Sequence, residues 1–145
     1  MGLPIFACHI QCGEIIVHGK GQRILVVDDE PDILSALKDL LKLLDYQPTP
    51  AANGKEALEQ YKAVNPHAVL MDINMPEMDG LACIEKMLKI DPHANISVIT
   101  GYEMDGLNGL SQQAKNAIKY YIAKPVALAD LSVLLARMLE KKDKG

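Results

Sequence analysis

Apolar and polar positions alternate in a regular order from Gly21 onward. Arg23-Ile24-Leu25-Val26-Val27 is a β-branched apolar run that stops at Asp28-Asp29-Glu30-Pro31. A short apolar run bounded by turn signals predicts a strand buried on both faces. Pro31 suits the first turn of a helix, where its missing N–H does no harm. Ile33, Leu34, Leu37, Leu40, Leu41 and Leu44 then recur at helical spacing. Gln47 to Ala51 predicts a weak strand at a sheet edge, because Pro48 and Pro50 cannot donate to a ladder. Asn53-Gly54 turns into a second helix with Ala57, Leu58, Tyr61 and Val64 inward, and Asn65-Pro66 ends it. Ala68 to Asp72 is a second fully apolar strand that closes abruptly in a carboxylate.

The same alternation continues to the end of the chain. After Asp79-Gly80 a third helix carries Leu81, Ile84, Met87 and Leu88 and stops at Asp91-Pro92. Ile96-Ser97-Val98-Ile99-Thr100 predicts a strand, and a stretch punctuated by Gly106 and Gly109 leads to a fourth helix near Leu110 to Ile118. Tyr120 to Ala123 predicts the fifth strand, ending in Lys124-Pro125; Leu128, Leu131, Leu134, Leu135 and Met138 mark the last helix. Five βα units in succession call for a parallel sheet with right-handed crossovers and helices on both faces. The fold class is therefore α/β, one doubly wound five-stranded domain, with no linker, repeat or low-complexity segment.

Composition narrows the function classes. The chain has 145 residues, 49% hydrophobic and 23% charged, which suits one domain with a real core. Its net charge is −4, with no basic run beyond a short Lys-rich end. Aromatics are 4% and Trp is absent, so neither an electrostatic footprint nor a stacking platform for nucleic acid is expected. No apolar run approaches the roughly 20 residues that span a bilayer, and the N-terminus does not read as a signal peptide. Three cysteines, an odd count, fit reduced thiols and a cytoplasmic setting.

Residues 1–21 stand outside the βα pattern. Ile5 to Ile10 and Ile15 to Val17 flank Gln11-Cys12-Gly13-Glu14, a pattern that fits a β-hairpin. Cys8, His9, Cys12 and His18 are zinc-type groups, but their spacing matches no established zinc pattern. An apolar extension packed on the domain or on a partner, with a dimer contact as one form of it, is the better expectation. The organisation is then an extension at 1–21, a domain at 22–142 and a tail at 143–145.

The strand ends carry the chemistry. Asp28-Asp29, Asp72, Thr100 and Lys124 all fall where parallel strands finish, and those ends share one edge of the sheet. Each has an ordinary reading: a first-turn acid, a turn Asp, a strand Thr, a solvated Lys. Together they define a site. Carboxylates clustered there repel one another, and a hard cation such as Mg²⁺ removes the conflict. The ammonium and hydroxyl then suit a group with anionic oxygens, and a carboxylate nucleophile suits an aspartyl phosphate.

The segments Ile24–Pro31, Val69–Gly80, Val98–Gly101 and Tyr121–Pro125 resemble a receiver domain of the two-component response regulators, over about Gly21 to Lys142. The resemblance implies a flavodoxin-like (βα)5 sheet of strand order 2-1-3-4-5. It implies that Asp72 accepts a phosphoryl group, and that Asp29, Asp72 and the carbonyl of Asn74 hold Mg²⁺ directly, with Asp28 through water. Lys124 would pair with the phosphoryl oxygens, Thr100 and Tyr121 would act as switch residues, and Lys124-Pro125 would be cis. The implied partners are a histidine kinase or histidine phosphotransfer protein and a downstream effector. The chain is then no enzyme beyond assisting its own phosphorylation and dephosphorylation. An aspartate-nucleophile phosphohydrolase and a phosphorylation-independent interaction module are the other readings. Asn74 stands where the phosphohydrolases usually place a second Asp.

Overall fold

A computed structural model describes residues 16–73, 80–100 and 112–140. The elements in chain order are β1 (Arg23–Val27), α1 (Pro31–Leu43), β2 (Gln47–Ala51), α2 (Gly54–Val64) and β3 (Ala68–Asp72). They continue as α3 (Gly80–Ile90), β4 (Ile96–Thr100), α4 (Gln112–Ala117), β5 (Ile118–Ala123) and α5 (Leu128–Met138). All strand pairs are parallel and the order is β2-β1-β3-β4-β5. The doubly wound, flavodoxin-like expectation holds, and the Pro-bearing strand β2 lies at the edge.

The central strands are apolar between their end residues, Ser97 of β4 excepted, because both faces are covered, and successive residues divide between two cores. Leu25, Val27, Val69, Met71, Ile96 and Val98 meet α2, α3 and α4 through Ala57, Tyr61, Ile84, Met87 and Ala114. Ile24, Val26, Ala68, Leu70 and Ile99 meet α1 and α5 through Leu37, Leu41, Leu131 and Leu135.

Local chemistry sets the ends of α2. Asn53 caps it by accepting from the Glu56 N–H at 2.9 Å, while the Glu56 carboxylate accepts from the Ala52 N–H at 2.8 Å. Asn65 stops it in the left-handed region, at φ 52°. Arg23 donates to the carbonyls of Val64 and Asn65, both at 2.9 Å, tying that end to the start of β1.

Two expectations change at the fourth unit. The described part of α4 runs only Gln112–Ala117, and Ile118 already belongs to β5. The β-propensity of Ile118 to Ile122 takes those residues into the sheet. The register of β5 also slips: Ile96 pairs with Ile118, but Ser97 pairs with Tyr120. The extra residue, Lys119, reverses the parity of the strand. Ile118 therefore packs in the α2–α4 core and Ile122 in the α1–α5 core, although they stand an even number apart.

The hairpin expected within residues 1–21 lies mostly outside the described residues. Ile16 and Val17, which would belong to its second strand, are exposed and form no strand.

Candidate functional site

β1 and β3 are neighbours in register, with Val27 opposite Met71. The residues that follow them, Asp28 and Asp72, therefore emerge side by side at the carboxyl edge. Asp28 is fully buried and Asp72 nearly so. Carboxylate oxygens of Asp28, Asp29 and Asp72 all lie within 4.8 Å of one another. Lys124, at the end of β5, closes the group from across the sheet. Its Nζ donates to Asp72 Oδ2 at 3.1 Å and stands 3.5 Å from Asp28 Oδ2. Asp28 Oδ1 accepts the Glu30 N–H at 2.9 Å, which leaves Asp28 Oδ2 buried without a hydrogen bond.

Three carboxylates thus face one ammonium. Two like charges at this separation repel by roughly 3 kcal/mol at an effective dielectric near 20. Burial pushes the Asp28 carboxyl up and the charge of Asp72 adds to that, against the Glu30 N–H and Lys124. Burial alone would lower the Lys124 ammonium, but the hydrogen bond and charge of Asp72, with the charge of Asp28, raise it. The ammonium therefore stays charged, and the acids remain short of positive charge. A small divalent cation fits this donor set: hard oxygens on three side chains, one of them buried without a hydrogen bond.

The expected residues fare differently. Asp28, Asp29, Asp72 and Lys124 come together as the strand-end pattern requires. Asn74 lies outside the described residues. Thr100 ends β4 opposite Ala123, beside the lysine, and the placement of its hydroxyl lies outside the description. Tyr121 is 41% exposed, on β5 three residues before Lys124. The Lys124–Pro125 peptide is cis.

Gly80 has a role beyond marking the start of the third helix. A Cβ there would fall 2.8 Å from the Asp72 carbonyl oxygen and 3.0 Å from the Ile73 Cα, so the start of α3 lies against the end of β3. The sequence signal was only a glycine eight residues after the acid.

Of the zinc-type groups, Cys8, His9 and Cys12 lie outside the described residues. His18 pairs instead with Asp45, Nδ1 to Oδ2 at 2.7 Å. The three aspartates are the metal-type cluster among the described residues.

A doubly wound (βα)5 module with an acidic, lysine-lined pocket at its carboxyl edge is the class that fold and site define. The chain belongs to the response regulator receiver domain family, whose model matches residues 24–136. Chemotaxis protein CheY of Thermotoga maritima is 45% identical over 62 residues, 42% of this chain and 52% of that protein. The chain matches about half or less of the length of such curated relatives. A CheY-like receiver domain from Methanospirillum hungatei superposes with a TM-score of 0.74 at 31% identity, covering 86% of this chain and 98% of that one. The receiver domain of the sensor histidine kinase PA1611 from Pseudomonas aeruginosa superposes at 0.73 and 28% identity, over 82% and 98%. That structure holds a magnesium ion in its active-site cleft. Among the described residues no helix is long and apolar enough to cross a membrane.

Proposed function

We propose that this chain is a phosphorylation switch of a two-component system, with Asp72 as the phosphoacceptor. The observation that carries the reading is the Asp28–Asp29–Asp72 cluster, with Asp28 and Asp72 buried and Lys124 Nζ 3.1 Å from Asp72. The donor is a histidine kinase or a histidine phosphotransfer protein. An oxygen of Asp72 forms the new bond to phosphorus, the N–P bond of the phosphohistidine breaks, and its electron pair stays on the imidazole nitrogen. Lys124 pairs with the phosphoryl oxygens, and the Thr100 hydroxyl closes on them.

Asp28, Asp29 and Asp72, with the carbonyl of Asn74, would hold Mg²⁺, Asp28 through water. Bound there, the cation neutralises charge on the transferring group. Phosphorylation adds about −1.5 to −2 of charge to the pocket. Thr100 moves toward it, and Tyr121, exposed in this state, turns inward. An effector protein reads the changed face of α4 and β5. The chain turns over no separate substrate, and its setting is cytoplasmic.

The test is incubation with Mg²⁺ and acetyl phosphate. One acid-stable, base-labile phosphate is expected per chain, and none on Asp72→Asn. Labelling of that variant at the wild-type rate would sink the assignment. Steady turnover of phosphate esters would favour the phosphohydrolase, and no adduct on the native chain would favour the interaction module.

A further inference from the structure

Residues 17–21 are bonded into the seam between α1 and α5. The Gly21 N–H donates to the Asp45 carbonyl at 2.7 Å and the Gly19 N–H to the Leu44 carbonyl at 2.6 Å, both at the turn after α1. Val17 then makes a reciprocal pair with α5. Its N–H donates to Ser132 Oγ at 2.6 Å, and that hydroxyl lies 3.2 Å from the Val17 carbonyl. Ser132 is a fully buried hydroxyl satisfied by this segment. Gly19 is required where it stands, since a Cβ there would overlap the ring of Tyr46. The segment is thus a seated strap.

Its direction is informative. α5 returns antiparallel to the strands, so its first residue, Leu128, lies nearest the carboxyl edge. Read backwards from Gly21, the strap climbs from the base of the sheet to Ser132, four residues and about 6 Å short of that end. Above it the same seam opens into an apolar groove of about 430 Å³, bounded by Ile33, Ala36 and Leu40 of α1 and by Lys124, Pro125 and Val126. The chain that continues beyond Ile16 has fifteen residues, a reach of up to about 50 Å when extended. It carries no charged side chain from Met1 to Gly13 and includes Leu3, Pro4, Ile5, Phe6 and Ile10. Docking of such an uncharged apolar segment in an apolar groove of its own chain would remove both surfaces from water.

We infer that the segment before Ile16 docks into the groove between α1 and the β5–α5 connection. The occupant is the same molecule's N-terminus. The docking does not depend on phosphorylation of Asp72, so the two readings fail separately.

The test uses the full chain with Cys12→Ser and a nitroxide on Cys8, the remaining Cys83 being buried. Amide signals of Ala36, Leu40 and Val126 are expected to broaden while those of Glu59 and Lys86, on the opposite face, do not. Ala36→Arg on the exposed face of α1, and separately Phe6→Asp, should restore them. No broadening at the groove, or broadening that survives both substitutions, overturns the inference. So does broadening of an isotope-labelled, spin-free chain by a spin-labelled one, which would make a second copy the occupant.

Discussion

Asp28 concentrates the electrostatic conflict of the site: fully buried, one oxygen without a hydrogen bond, and two carboxylates beside it. Its pKa is raised by burial first. A raised acid holds its proton longer in the native state, so its ionisation works against folding as pH rises. At neutral pH the metal-free protein carries that penalty, and protons and cation compete for the same oxygens. Mg²⁺ is therefore expected to raise the melting temperature at neutral pH, by less as pH falls toward about 5. In Asp29→Asn the shift should shrink at every pH. Melting curves with and without Mg²⁺ check this; a shift independent of pH and of Asp29 would place the cation elsewhere. Lys124 alone cannot replace the ion, since one ammonium serves Asp72 at 3.1 Å and Asp28 at 3.5 Å.

Helices α2 and α3 meet through a buried thiol. Cys83 is 3% exposed, and its sulfur approaches the Gly54 carbonyl at 3.9 Å. Burial pushes the thiol from 9.0 up to about 11. An unfolded chain loses that proton first as pH rises, so stability is unaffected below about 9 and falls between about 9 and about 11. At about 1.4 kcal/mol per unit, the loss is on the order of 2–3 kcal/mol. Tyr61 adds to the same trend from still higher pH, its hydroxyl raised by burial and by its hydrogen bond to Asp91. Urea unfolding at pH 8 to 10 separates the two: Cys83→Val should flatten the first part of the decline. An unchanged slope would mean that the thiol titrates normally. β5 poses a problem of another kind at this scale. The residue skipped at Lys119 decides which side of the sheet Tyr121 and Ile122 occupy, and alternation along the segment does not reveal it.

Among the described residues two cores flank one sheet, with the site at the edge where all five strands finish and the strap climbing the α1–α5 seam from the opposite edge. The strap joins parts distant in sequence: Val17 and Ser132 are 115 positions apart. Its seating depends on a missing side chain at Gly19, over the buried ring of Tyr46. Gly19→Val is expected to cost about 1–3 kcal/mol by overpacking, or to unseat the strap. Either outcome lowers the urea midpoint and exposes the Gly19 and Gly21 amides to hydrogen exchange. Unchanged stability and protection would show that the strap does not hold the seam.

Much of this was legible beforehand, for identifiable reasons. The strands β1, β3 and β4 announce themselves because burial on both faces demands runs that are almost wholly apolar, and α1, α2 and α5 because one buried face imposes helical spacing. Pro48 and Pro50 put β2 at the edge because a proline cannot donate to a ladder. Parallel connectivity then forces Asp28, Asp72 and Lys124 to a common edge, so the grouping follows from order along the chain. Other features needed three dimensions. Distances among the carboxylates, the Asp28 oxygen left without a hydrogen bond and the 3.1 Å contact of Lys124 depend on strand register and side-chain placement. The contact of Gly80 with the Asp72 carbonyl, the slip in β5 and the strap on Ser132 are encounters between residues that no local pattern relates. Periodicity within a segment is a property of the chain. Which segments meet, and how closely, is settled only when the two cores pack.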